Sequence, residues 1–411
     1  MPGSPSPSRA RIALVLAGGA ARGAYEVGVI QHVLTEVARD LGHEIPLDIL
    51  CGTSVGALNA CALASFADQP RARADRLAEV WTHLRVDDLI RIDARGILAV
   101  GGDLLRSSGS PLTAARRTSL LDPRGLEHML ARSMPFDRIG EHLRRGLLSA
   151  VTVSTTHVHS GHTVVFIQRA EPGLPPWSPD PTITPRAVEI GVVHAMASAA
   201  VPILFPAVSI DGHYYCDGGL RQNVPLSPAR RLGADRVLVV NPRHVGPAHA
   251  EDDQQGGFPG PLFLLGKTLN ALMLDRIDND LSRLESINGI LDAGRRRYGP
   301  RFVDELNHEL GHRPGRGIRP MRAMLIRASQ DIGRLCAEFV RSPAFHGKVG
   351  GMLGRAMRRL AEGDEKNEAD LLSYVLFDGT FAGQLIELGR ADARTRHDEL
   401  CRFFEAPREP E

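Results

Sequence analysis

Residues 47–60 read LDILCGTSVGALNA, and this stretch decides the fold. Leu47 to Cys51 reads LDILC, mostly apolar and of strand length. Gly52-Thr53-Ser54-Val55-Gly56 follows it, a Gly-x-Ser-x-Gly sequence. From Val55 to Phe66 the residues are small, apolar and compatible with helix. A strand passing through a glycine-flanked turn into a helix is the setting of a nucleophile elbow, with Ser54 at its apex. Gly52 and Gly56 let strand and helix approach closely, and the turn holds Ser54 Oγ clear of the backbone. The helix aims its free N–H groups and its positive dipole end at the same point.

Working outward, the same rhythm recurs. Upstream, IALVLA (Ile12 to Ala17) follows Arg9 and Arg11. The run is short and passes into a Gly-rich turn, so it reads as a buried strand rather than a secretory leader. Ile30, Val33, Leu34, Val37 and Leu41 then repeat at helical spacing. Downstream, Leu147 to Ser154, Thr163 to Gln168 and Arg236 to Asn241 read as strands. Ala207 to Tyr215 reads as a hairpin turning at Asp211-Gly212. Alternating strands and helices through residue ~245 predict an α/β fold, with mainly helical sequence beyond.

Two further stretches carry chemistry. GGAARGAY (Gly18 to Tyr25) joins the first strand to the first helix. Gly18, Gly19, Ala20 and Gly23 place an open backbone there whose N–H groups can face a negative oxygen, and Arg22 is the one charge in the loop. A dinucleotide-binding loop is the rival reading. It needs a third glycine where Ala20 stands, and only Asp40 and Glu44 are available as its ribose acid. CDGGLRQNVP (Cys216 to Pro225) sets Asp217 before Gly218 and Gly219 on a tightly turning backbone. Taken alone, Asp217 reads as an ordinary turn residue.

The composition narrows the field. In 411 residues, 49 Lys+Arg against 48 Asp+Glu leave a net charge of +1, which argues against a nucleic-acid partner. No apolar run reaches the ~18 residues of a membrane-spanning helix. Five cysteines (Cys51, Cys61, Cys216, Cys336 and Cys401) show neither metal-ligand spacing nor a disulfide framework. A reducing, cytoplasmic setting is the expectation, with no metal and no cofactor. Residues 313–360 carry 11 Lys/Arg against two acids, and residues 361–411 carry 13 acids against six bases. Arg327, Asp331, Arg334, Glu338 and Arg341 can pair along one helix face, or the basic stretch can meet anionic lipid headgroups. Residues 96–121 read as a mobile flap. Leu262, Leu265, Leu269 and Leu272 lie at helical spacing, suited to core packing or to an acyl channel.

In this order, a Gly-rich loop, a Gly-x-Ser-x-Gly elbow and an Asp-Gly-Gly turn resemble the patatin-like phospholipases. ASAAVPILFPAV (Ala197 to Val208) is similar to the family's segment ahead of that turn, and Asn223 and Pro225 continue it. Leu284 to Leu291, Arg327 to Leu335 and Leu371 to Gly389 resemble the helical tail of bacterial members. Ala20 departs from the family, which usually has Gly there. The resemblance implies a three-layer α/β sandwich with a central, mostly parallel sheet, followed by a helical C-terminal region. It divides the chain into a flexible tail (1–10), a catalytic domain (11–245), a linker (246–261) and a helical region (262–411). It implies Ser54 as nucleophile and Asp217 as its base. Gly18, Gly19, Ala20, Arg22, Gly23 and Val55 would surround the oxyanion, with Gly52, Gly56, Gly218 and Gly219 as motif glycines. The substrate implied is a phospholipid or other fatty-acyl ester, met by a peripheral contact with a membrane. Acyl transfer, thioester hydrolysis and lipid binding without catalysis stay open, as does a triad through His244, His194, His157, His159 or His162.

Overall fold

The computed structural model describes residues 9–85, 123–171, 173–174, 177, 181–202, 204–245, 277–311, 317–345 and 372–405. The expected flap at 96–121, the linker at 246–261 and the apolar helix at 261–274 lie outside these residues, as do residues 1–8.

In chain order the first elements are β1 (Ile12–Leu16), α1 (Ala24–His32), β2 (Ile49–Thr53), α2 (Val55–Ser65) and α3 (Ala72–Thr82). Then come α4 (Arg124–Ser133), α5 (Asp137–Arg144), β3 (Ala150–His157), β4 (Thr163–Arg169) and β5 (Ile183–Ala187). The next are α6 (Val192–Ser198), β6 (Val208–Ile210), β7 (His213–Asp217), α7 (Leu226–Arg231) and β8 (Arg236–Asn241). The chain closes with α8 (Ile277–Tyr298), α9 (Phe302–Glu309), β9 (Arg322–Arg327), α10 (Ile332–Arg341), α11 (Gly379–Thr395) and α12 (His397–Phe404). A π-helical turn, Val33–Val37, carries α1 on into a last turn, Ala38–Leu41.

The strands form one sheet in the order β5-β4-β3-β2-β1-β8-β9. β1, β2, β3, β8 and β9 are mutually parallel, and β4 runs against β3. Parallel central strands are covered on both faces, which is why β1, β2 and β8 are continuous buried runs. Alternation still sorts their side chains. Leu14, Leu16 and Leu50 join one core cluster with α1, α2 and α11, whereas Ala13, Val15 and Ile49 join a second with α7 and α8. Helices therefore cover both faces of a mostly parallel sheet, the architecture implied by the resemblance.

The C-terminal region is helical but adds one strand, β9, which extends the sheet beside β8. Arg327 ends that strand and bonds Asp278, so it does not join the helical charge ladder read from the sequence. Asp331 caps α10, and of the ladder Arg334 and Glu338 pair at 2.9 Å. Helix α11 lies backbone to backbone on α1. A Cβ on Gly28 would stand 1.9 Å from the Ile386 carbonyl oxygen, and one on Gly389 would stand 2.1 Å from that of Tyr25. Gly28→Ala is expected to force the helices apart and destabilise by about 1–3 kcal/mol, seen as a lower urea midpoint at unchanged slope.

Candidate active site

The sheet's own geometry brings two distant residues together. β2 and β7 share one edge of β3. Parallel β2 pairs along it until Thr53 faces Ser154, and antiparallel β7 comes from the other end until Asp217 faces Thr155. Ser154 and Thr155 are adjacent, so the ends of the two strands abut. Ser54 leaves the end of β2, and its Oγ donates to Asp217 Oδ2 at 2.6 Å. Both side chains are buried.

Ser54 sits at φ 54°, ψ −127°, a strained conformation for a residue with a Cβ, costing on the order of 1–3 kcal/mol. The strain is held by what surrounds it. Ser54 N–H donates to Ser198 Oγ at 2.8 Å, and Ser198 Oγ donates to the Ser154 carbonyl at 2.6 Å. Gly56 lets the start of α2 press on β1, where a Cβ would stand 2.4 Å from the Leu16 carbonyl oxygen. Gly52 is closed in the same way, against the Gly56 carbonyl.

Asp217 is fixed on every side. Its N–H donates to the Ala200 carbonyl, and its carbonyl accepts from Thr156 Oγ1. Oδ1 accepts from Gly219 N–H at 2.7 Å, while Gly218 packs on the Ser154 carbonyl. Burial pushes the carboxyl up to about 7; the bonds from Ser54 and Gly219 pull the other way. A carboxyl that titrates near neutrality can both take and return a proton at working pH.

The Gly-rich loop closes over the same point. Gly18 N–H donates to the Asn223 carbonyl at 3.1 Å, and Asn223 Nδ2 returns a bond to the Gly18 carbonyl. Gly19 packs on Pro242, and Gly23 packs on the Val55 methyls. Asn59 Nδ2 donates to the Gly23 carbonyl and to Glu26 Oε2, while Trp81 Nε1 donates to Asn59 Oδ1. This bracket ties the loop to α2; burial drives the Glu26 carboxyl well above the usual range. Val55 opens α2, where the first N–H groups have no partner within the helix.

Ala20 has φ 47°, so the position where the family usually has Gly is one that Gly would occupy without strain. Ala20→Gly is expected to relieve this and stabilise by up to about 1 kcal/mol, measured as a raised melting temperature.

Ala20, Ser54 and Val55 border a cavity of about 40 Å³, walled by Leu58, Leu126, Val201 and Phe205, and by Tyr374, Val375 and Phe377 from the C-terminal region. Arg22 is buried and reaches that region too. Its Nε donates to Ser373 Oγ at 2.8 Å, and its guanidinium lies 3.9 Å from the centre of the Tyr374 ring.

Among the described residues no histidine bonds Ser54 or Asp217. His244 Nδ1 lies 3.0 Å from the Ala328 carbonyl, and His194 Nδ1 accepts from Gly191 N–H. His157, the last residue of β3, pairs with Ser160. The Cys51 and Cys61 thiols are pushed up to about 12 and that of Cys216 to about 11, all mainly by burial, so none is a thiolate at neutral pH. No helix among the described residues is long and apolar enough to cross a membrane.

Sequence reading passed over Ser198, Asn59 and the 373–377 wall. Ser198 lies within the quoted Ala197 to Val208 segment, but nothing local marks its hydroxyl as the acceptor for the Ser54 N–H. Asn59 lies four residues beyond Val55, one helical turn on, and was hidden among small apolar neighbours.

The chain is 28% identical over 212 residues to a cGAMP-activated phospholipase of Pseudomonas aeruginosa, a stretch covering 52% of this chain and 53% of that protein. It is 27% identical over 232 residues to patatin-like phospholipase domain-containing protein 7 of Rattus norvegicus, covering 56% of this chain and 13% of that one. The chain thus spans about half the length of the first relative and a small part of the second. The crystal structure of VipD from Legionella pneumophila aligns over 92% of this chain and 67% of that one, with a TM-score of 0.30 and 13% identity, too loose a likeness to carry a comparison. The sequence profile of the patatin-like phospholipases matches residues 14–230, from β1 through the elbow, the Asp-Gly-Gly turn and α7. With more than half of its length matched, and with the elbow and that turn joined at one point, the chain belongs to the patatin-like phospholipase family.

Proposed function

We propose that this protein is a lipid acyl hydrolase that cleaves fatty-acyl esters of phospholipids or lysophospholipids through Ser54 and Asp217. The observation that carries this reading is the 2.6 Å bond from Ser54 Oγ to Asp217 Oδ2 at the edge of an apolar cavity. Asp217 accepts the Ser54 proton while Oγ attacks the ester carbonyl carbon. Negative charge develops on the carbonyl oxygen, within reach of the N–H groups of Gly19, Ala20 and Val55. The tetrahedral intermediate expels the alcohol oxygen, which takes the proton from Asp217 and leaves an acyl-Ser54 ester. Water then gives a proton to Asp217 and attacks the acyl carbon. Collapse returns that proton to Ser54 Oγ and frees the fatty acid.

The base must be ionised, so its elevated titration sets the acidic limb of activity. Asp217 stands up near 7, and kcat/KM is expected to climb as pH rises through that region and to level off above it. A limb centred near 4, the range of an ordinary carboxylate, would count against Asp217 as the base.

The reading is tested by incubating purified protein with a fluorophosphonate and mapping the adduct by mass spectrometry, beside a panel of phospholipids, lysophospholipids and neutral glycerides. An adduct on Ser54 with release of fatty acid is the expected result. Folded protein with no adduct and no product would overturn it. Added alcohol or thiol acceptors in the same assay separate hydrolysis from acyl transfer.

A further inference from the structure

The cavity beside Ser54 is small. At about 40 Å³ it has room for one or two waters, not for a fatty-acyl chain. Three of its twelve lining residues, Tyr374, Val375 and Phe377, come from beyond residues 14–230, the stretch matched to the family. Residues 372–378, a helical turn (372–375) and a three-residue link, lie along one side of the cavity immediately before α11. Leu372 and Leu376 are buried in the main core and anchor the segment. Tyr374, Val375 and Phe377 line the cavity instead. Phe377 stacks on Trp81 with ring centroids 6.4 Å apart. Two fixtures hold the segment down. At one end Arg22 binds the Ser373 hydroxyl and the Tyr374 ring face. At the other, Asp378 caps α11 through Thr380 and Phe381 N–H, and Gly379 N–H donates to the Leu84 carbonyl.

We propose that residues 372–378 form a strap whose Tyr374, Val375 and Phe377 side chains set the length of acyl chain admitted to Ser54, with Arg22 as the residue that positions it. The inference rests on the reading of Ser54 as the nucleophile. The residues deeper in the site are fixed by the backbone of the elbow and the Gly-rich loop, so the catalytic side of the cavity has little room to adapt. The strap side is made of half-buried side chains, Tyr374 and Val375 on a helical turn (372–375) and Phe377 on the link (376–378) that joins it to α11, and all three face the cavity. Each methylene that gains or loses a place in an apolar pocket changes discrimination by about ten-fold or more. Shortening one ring therefore shifts preference strongly. Arg22 acts through Tyr374 and Ser373: a lysine in its place keeps the charge but loses the planar stacking and the Nε geometry.

The experiment has two arms. In the first, kcat/KM is measured on p-nitrophenyl esters from acetyl to palmitoyl for wild type, Phe377→Ala, the milder Phe377→Leu, and Arg22→Lys. The expected result is that Phe377→Ala raises the ratio of long-chain to short-chain kcat/KM by about ten-fold or more. Phe377→Leu should give a smaller rise in the same direction. Arg22→Lys should also shift the ratio, where a merely structural loss would lower all esters together. In the second arm, cis-parinaric acid is titrated by fluorescence into the Ser54→Ala and Ser54→Ala/Phe377→Leu proteins. The expected result is about five-fold or more tighter binding in the double variant. Ratios and affinities within two-fold of their references in folded protein would overturn the strap. If wild type cleaves no ester while parinaric acid binding still responds at Phe377, the strap stands and the catalytic reading falls. If wild type cleaves esters and neither arm responds, the reverse holds.

Discussion

Ser54→Ala is expected to lower kcat by about 10⁴- to 10⁶-fold on any ester the wild type cleaves, the loss typical of removing a covalent nucleophile. The fold should survive. Ser54 contributes one side-chain bond, to Asp217 Oδ2, and its N–H bond to Ser198 is made by backbone that alanine retains. Losing the hydroxyl leaves Asp217 with Gly219 N–H as its remaining side-chain partner and raises its carboxyl further, which keeps it neutral and tolerated. The expected stability change is about 1 kcal/mol. Fatty-acid release measured beside a thermal melt checks both parts. Turnover within ten-fold of wild type, from protein that melts normally, would remove Ser54 from the reaction.

Asp217→Asn is expected to lower kcat by about 10⁴-fold while making the protein more stable above neutral pH. An amide fits the same space and still accepts from Gly219 N–H, but it cannot take the Ser54 proton. The stability change follows from the direction of the shift. The folded carboxyl titrates near 7, above an unfolded value of about 3.9. Between these values the folded state holds the extra proton, so wild-type stability is full below about pH 4 and falls as pH rises towards 7. The loss is at most on the order of 4 kcal/mol, and the asparagine variant escapes it. Urea unfolding at pH 5 and pH 8 should show a wild type that weakens with pH and a variant with a flatter response. Opposite signs in activity and stability are the mark of a group kept for chemistry rather than for folding.

Much of this was legible in the sequence because it was written locally. β1, β2 and β8 announce themselves by their mainly apolar runs, and the β6–β7 hairpin by Asp211-Gly212, which adopt φ 50° and φ 78° as such a turn requires. The elbow was legible because glycine on both sides of Ser54 has a steric purpose within five residues. Other elements carry no such mark. β5 reads ITPRA; its proline and exposed residues fit an edge strand but resemble a loop. β9 reads RAMLIR and alternates, yet it lies in an arginine-rich stretch that reads first as a charged helix. The cavity wall at 373–377 was the least legible part. It is held by a contact with Arg22 across 351 positions, and no local pattern encodes a contact of that span.

The cavity has one wall from the segment around the elbow and another from the far end of the chain. Under the proposed reading, bond-breaking and substrate choice are inherited from separate stretches of the gene. Drift near codon 375 would then retune which lipids are consumed without touching the proposed catalytic residues, so relatives sharing an identical chemical centre need not share a diet.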